Sequence, residues 1–131
     1  MYLLDTCVIS DFVKGNENTL RKVKALAPSR LFISTITQME IEYGLKRIED
    51  RRHKIDPIIR SLYSCINILP FDEKTALCAA AIRVDLAKTG QLIGPYDFLI
   101  AASALTHNLV MVTSNLSEFS RINRLTIENW R

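Results

Sequence analysis

The sequence predicts an α/β domain in which a parallel β-sheet is flanked by helices, and three observations predict it. Short apolar runs recur along the chain, helical patterns fill the gaps between them, and no repeat, low-complexity tract or linker interrupts the alternation. Strands that alternate with helices need crossover connections, and crossovers make neighbouring strands parallel. A chain of 131 residues suits one domain and is short for two, so a single domain over residues 1–131 is expected.

The elements follow in order. Tyr2–Leu4 is the first strand, ended by Asp5. Leu20, Val23 and Ala27 then recur at helical spacing. Leu31–Ser34 reads as the second strand, and Ile36, Met39 and Tyr43 after it repeat the same spacing. Ile55, Ile58, Ile59, Leu62 and Tyr63 form a full amphipathic stripe, followed by a third strand over Ile66–Leu69. The clearest helix spans Glu73 to Lys88, with Asp72 as its N-cap and Gly90 as its stop. Another starts near Asp97, just after Gly94-Pro95, and carries on through Ala101 to Leu105. Leu109–Thr113 is the fourth strand, and a weaker run, Leu125–Ile127, closes the sheet.

Composition narrows the function classes. With 48% hydrophobic and 24% charged residues, the chain has the balance of a globular protein and not of a disordered one. Its net charge of +3 leans only slightly toward an anionic partner. Cys7, Cys65 and Cys78 are odd in number and widely spaced, which reads as reduced thiols. His53 and His107 have no cysteine at zinc-ligand spacing. The short apolar start before Asp5 is unlike a signal peptide, and no segment approaches the roughly 20 apolar residues of a membrane span. A cytoplasmic protein without a membrane partner is the expectation.

Open parallel sheets bind ligands where the carboxyl ends of their strands meet the loops into helices. Asp5 ends the first strand, Glu40 opens the helix after the second, Asp97 begins the helix before the fourth, and Asn115 follows the fourth with Glu118 one turn later. Each has a structural alternative. Asp5, Asp97 and Asn115 can cap helices, and Thr37-x-x-Glu40 has the form of a capping box. Asp5 is the least comfortable as structure alone, because it interrupts a buried strand where an unpaired carboxylate is costly. Together the acids would repel one another and take up protons unless a cation joined them. Oxygen ligands without histidine or cysteine suit Mg²⁺, or Mn²⁺, and such an ion serves phosphodiester hydrolysis.

Four stretches carry a family resemblance. Leu3-Leu4-Asp5-Thr6, the run from Ile33 to Gly44, Ile93-Gly94-Pro95-Tyr96-Asp97 and the run from Val112 to Phe119 resemble PIN-domain ribonucleases, and more narrowly the VapC toxins of bacterial toxin–antitoxin pairs. The ending Ile127-Glu128-Asn129-Trp130 is similar too. The resemblance implies a Mg²⁺-dependent endoribonuclease of structured RNA such as tRNA, a VapB-type antitoxin that blocks the acidic groove, and a homodimer. It places Asp5, Glu40 and Asp97 on the metal-binding and catalytic positions and Asn115 on the fourth, which is aspartate in many relatives. Thr6, Ser114 and Glu118 are auxiliary candidates. Two positions depart from the family pattern: Cys7 and Ser114 stand where asparagine is common, with Cys7 reading as a small buried filler. Because Asn115 is neutral, one firmly bound metal is expected, with a second joining through RNA phosphate.

Around these acids, Lys46-Arg47 and Arg51-Arg52-His53-Lys54 make the densest basic stretch, expected as a helix end and the loop beyond it. Arg21, Lys22 and Lys24 form a smaller group, and Tyr43 and Tyr96 flank the acids. Rival readings fit less well. A haloacid dehalogenase-type phosphatase needs a second acid where Cys7 stands, and a receiver domain needs paired acids at the first strand. A catalytically inactive PIN-like module that binds RNA or protein is the alternative from another class.

Overall fold

The structure, a computed structural model, describes residues 1–131, the side chain of Arg51 excepted. Five strands form one parallel sheet: β1 (Tyr2–Leu4), β2 (Leu31–Ser34), β3 (Asn67–Leu69), β4 (Val110–Val112) and β5 (Ile127–Glu128), in the spatial order β3-β2-β1-β4-β5. The chain adds β2 and β3 on one side of β1 and then crosses to place β4 on the other. That reversal leaves a crevice above the carboxyl ends of β1 and β4, the place where such sheets bind ligands.

Seven helices cover the sheet: α1 (Thr6–Lys14), α2 (Glu17–Ala25), α3 (Thr35–Arg47), α4 (Glu49–Cys65), α5 (Glu73–Lys88), α6 (Asp97–Thr106) and α7 (Leu116–Phe119). Consecutive strand residues point to opposite faces, so Leu3 and Met111 enter the core built with α5, α6 and α7. Leu4 and Val112 enter the other core, with α1 to α4 and Trp130. The Trp130 ring also lies 5.3 Å from that of Tyr2, and Arg131 closes the chain onto Asp11 with bonds of 2.9 and 3.0 Å.

The clear helix over Glu73–Lys88 is α5, and its Asp72 accepts the Thr75 N–H at 3.0 Å as an N-cap should. Elsewhere the structure departs from the sequence reading in instructive ways. The helix α2 stops at Ala25 ahead of Pro28, so Ala27 is exposed and Leu26 is half-buried. On α3 the buried line is Thr37 and Leu45 with half-buried Ile41 between them, whereas Met39 and Tyr43 are 41% and 58% exposed. The basic residues after Arg47 are not in a loop. Glu49 and Asp50 favour a helix start at their position, so Arg52, His53 and Lys54 are exposed in the first turns of α4; the Arg51 side chain lies outside the described residues.

Candidate active site

Asp5 follows β1, and its N–H donates to the Val112 carbonyl at 2.9 Å, which extends the β1–β4 pairing to the sheet edge. The carboxylate is 5% exposed. Its Oδ1 accepts the Thr6 N–H at 2.8 Å, so it does cap α1, while Oδ2 accepts the Thr113 hydroxyl at 2.7 Å and lies 3.6 Å from Cys7 Sγ. Burial raises the Asp5 pKa, and the bonds from Thr113, Thr6 and Cys7 offset only part of the rise. The cap and the strand edge therefore hold one carboxylate in a fixed pose.

Glu40 comes to the same edge by another route. The hydroxyl of Ser34, the last residue of β2, accepts the Thr37 N–H at 3.0 Å and starts α3 without an intervening loop. Glu40 is therefore in the second turn, not at the opening, and the capping-box alternative falls because Ser34 is the cap. Glu40 Oε1 accepts the Thr6 hydroxyl at 2.8 Å, which links it to the segment holding Asp5.

Asp97 is the first residue of α6, where Tyr96 occupies the cap position without a side-chain bond. The turn that presents it is closed by the Asp97 N–H donating to the Gly94 carbonyl at 3.1 Å. A Cβ on residue 94 would sit 3.1 Å from Asp97 Oδ2, so glycine there leaves the carboxylate its room. Asn115 occupies the cap position of α7 but does not cap it. Its Nδ2 donates to Glu118 Oε2 at 2.6 Å and to Asp97 Oδ2 at 3.4 Å.

The charges at this edge are in surplus. Burial first, then a proton shared with Glu118, then repulsion from Asp5, Glu118 and Glu40 push Asp97 up to about 7. Glu118 is held below its ordinary value by its bonds with Asp97 and Asn115 and by the Gly94 N–H. The two neighbours thus move in opposite directions, Asp97 up and Glu118 down.

Two residues join the site that the sequence reading left outside it. Thr113 is fully buried; its hydroxyl donates to Asp5 and accepts the Asn115 N–H at 3.0 Å, so it couples the ends of β1 and β4. A polar residue closing the apolar run before Asn115 was the signal. Cys7 is half-buried, and Ser114 donates to its sulfur through its N–H at 3.5 Å and its hydroxyl at 3.4 Å. Cys7 thus touches Asp5 and Ser114 and does more than fill space.

A run of bonds connects Glu40, Thr6, Asp5, Thr113, Asn115 and Asp97 with Glu118 along one edge. Among the described residues no three histidine, cysteine or acidic side chains are drawn together tightly enough to enclose a metal ion as they stand. The donor set still fits a hard divalent cation. It consists of oxygen atoms, and burial, the bond with Glu118 and repulsion from the neighbouring acids together push Asp97 up to about 7. Mg²⁺ keeps several waters and needs only one or two carboxylates directly, so acids spaced around a hydrated ion suffice.

The sequence pattern described as the PIN domain matches residues 2–125. The chain belongs to the PIN-domain family. This PIN domain is 35% identical over 129 residues to the tRNA(fMet)-specific endonuclease VapC of Salmonella typhimurium, covering 98% of this chain and 97% of that one. Its fold is similar to that in the crystal structure of VapBC2 from Rickettsia felis bound to a DNA fragment from their promoter. The TM-score is 0.91 at 29% identity, with 99% and 98% of the two chains covered. A member of the VapBC family of toxin–antitoxin systems from Mycobacterium tuberculosis, VapBC-5, is similar at a TM-score of 0.73 and 25% identity, covering 98% and 96%.

Proposed function

We propose that this PIN domain is an endoribonuclease toxin that cleaves structured RNA, with tRNA as its substrate class, in the cytoplasm. The observation that carries the reading is the bonded run of acids at the carboxyl edge of β1 and β4, with Asp97 pushed up to about 7. Relatives named as ribonucleases over nearly the whole chain support it.

Asp5 and Asp97 would hold Mg²⁺, or Mn²⁺, with Glu40 as a further ligand or as the group that orients the attacking water. A bound divalent cation supplies polarisation of the phosphate, a lowered pKa for water and charge for the leaving oxygen. Asn115 serves through its amide donor, which steadies Asp97 and Glu118 and adds no negative charge. That neutral side chain favours one firmly held cation, a second joining only with the oxygens of an RNA phosphate. Glu118 supplies an extra acid at the rim, and Thr6 positions Glu40. Ser114, whose hydroxyl faces Cys7, acts indirectly on Asp5.

The partners follow from the same reading. A VapB-type antitoxin is proposed to cover the acidic edge, in keeping with the neighbouring toxin–antitoxin structures. A homodimer is proposed through α5, whose outward face carries Leu77, Ala80, Ala81 and Val84. An antiparallel pair of α5 helices centred between Ala80 and Ala81 sets Leu77 against Val84 and Glu73 against Lys88, matching both shape and charge.

The test is cleavage of tRNA and of an anticodon stem-loop by purified protein, with Mg²⁺ or with chelator. Asp5→Asn and Asp97→Asn are expected to abolish cleavage while circular dichroism shows a native-like fold. RNA binding by wild type without metal-dependent cleavage would instead favour an inactive binding module.

A further inference from the structure

On α3 the residues Glu40, Tyr43 and Arg47 follow at spacings of three and four, which sets them along one strip of the helix. Glu40 is the inner member, bonded to Thr6. Tyr43 lies about 4.5 Å and Arg47 about 10 Å farther along the helix axis, given a rise of about 1.5 Å per residue. The acid network uses neither. Tyr43 is 58% exposed, and the Arg47 guanidinium lies 5.4 Å from its ring centroid, a cation–π contact that steadies the ring and leaves much of its surface open. Lys46 and Arg47 close the last turn of α3, and among the described residues neither forms an ion pair.

An exposed ring beside two unpaired cations, in line with an acid of the cleavage site, matches the chemistry of a nucleotide. The ring offers a face to a base, and the cations offer charge to phosphate. An apolar protein segment would leave both cations without partners.

We propose that Tyr43 and Arg47 form the subsite for the single-stranded nucleotide flanking the scissile phosphate, with its base stacked on Tyr43 and the next phosphate on Arg47. This rests on the ribonuclease reading. It explains why the middle of α3 keeps a large aromatic residue in solvent. It also assigns recognition there to stacking, which accepts any base, and not to base-edge hydrogen bonds.

The test uses the full chain carrying Asp97→Asn, so that RNA stays intact, with a fluorescent oligouridylate and a fluorescent RNA hairpin as probes. Tyr43→Ala in that background is expected to weaken oligouridylate binding roughly 5- to 150-fold, the range of one stacked base, while Tyr43→Phe and Tyr43→Trp bind as the parent does. Arg47→Ala is expected to lower the slope of log affinity against log salt by about one, the signature of one lost phosphate contact. Tyr43→Ala within twofold of a parent that binds RNA overturns the subsite and leaves the ribonuclease reading standing. A Tyr43→Ala variant that keeps its RNA affinity but loses its antitoxin gives the strip to the protein partner, and also overturns it. Wild type that cuts no RNA, with a parent that binds none, overturns both readings.

Discussion

At the scale of single residues, the site depends on how hydroxyl and amide groups hold the acids. Asp5 stands out in the sequence because a carboxylate that interrupts a buried strand is costly without a purpose, whereas Glu40 and Asp97, each able to serve as a helix-end residue, stand out only beside it and through the family resemblance. Thr113 was not, because a threonine closing an apolar strand looks like ordinary strand chemistry until β1 and β4 are paired. Once paired, its single proton goes to Asp5 and its lone pair to Asn115. Thr113→Val keeps the shape and removes that proton, so it is expected to cost about 1–3 kcal/mol of stability, measured by urea unfolding. Thr113 also holds the Asp5 pKa down against burial. Its loss therefore moves the acid limb of the pH–rate profile for RNA cleavage to higher pH, and Thr113→Ser restores the profile. A profile unchanged in Thr113→Val would limit Thr113 to a packing role.

At the scale of elements, strands were easier to read than helix faces. The apolar runs at Tyr2–Leu4 and Leu31–Ser34 match β1 and β2 residue for residue, since strands buried on both sides need continuous apolar sequence. The α3 face was misread for a physical reason. Its inner face abuts the acid site, so Thr37 and Glu40 take positions that apolar residues would normally fill, and of the apolar spacing Ile36, Met39 and Tyr43 only Ile36 packs on the core while the other two face outward. The α5 outer face shows the same lesson, with Leu77 at 67% and Val84 at 51% exposure. Burying such side chains against a second copy recovers roughly 25 cal/mol per Å² of apolar surface removed from water. Leu77→Glu with Val84→Glu is expected to yield a monomer in analytical ultracentrifugation where wild type is a dimer. A dimer that survives both substitutions would place the interface elsewhere.

At the scale of the whole molecule, the fold gathers acids from four separate parts of the chain and accepts the repulsion that results. Alternation of strands and helices was enough to predict the sheet, but the crossing of the chain from β3 to β4, which creates the crevice, came from packing between distant elements. Burial of Asp97, with the repulsion added to it, has a measurable sign. Asp97 holds its proton up to about 7 in the folded state, against 3.8 for an ordinary aspartate, so between those values the folded chain binds more protons than the unfolded one. Its contribution to stability is complete below about 4 and is lost as pH rises to about 7; raised Asp5 acts in the same direction. Lowered Glu118 acts oppositely, in the range below its ordinary 4.5.

The most direct test is the melting temperature across pH 4 to 8, in chelator and in Mg²⁺. In chelator it is expected to fall between about pH 4 and 7. Mg²⁺ binds the folded, deprotonated site, so it raises the melting point by a margin that widens with pH; Asp97→Asn reduces the fall to the share that Asp5 contributes and removes the Mg²⁺ gain. A melting point indifferent to Mg²⁺ at pH 8, or an equal Mg²⁺ effect in Asp97→Asn, would contradict a shared cation at this edge of the sheet.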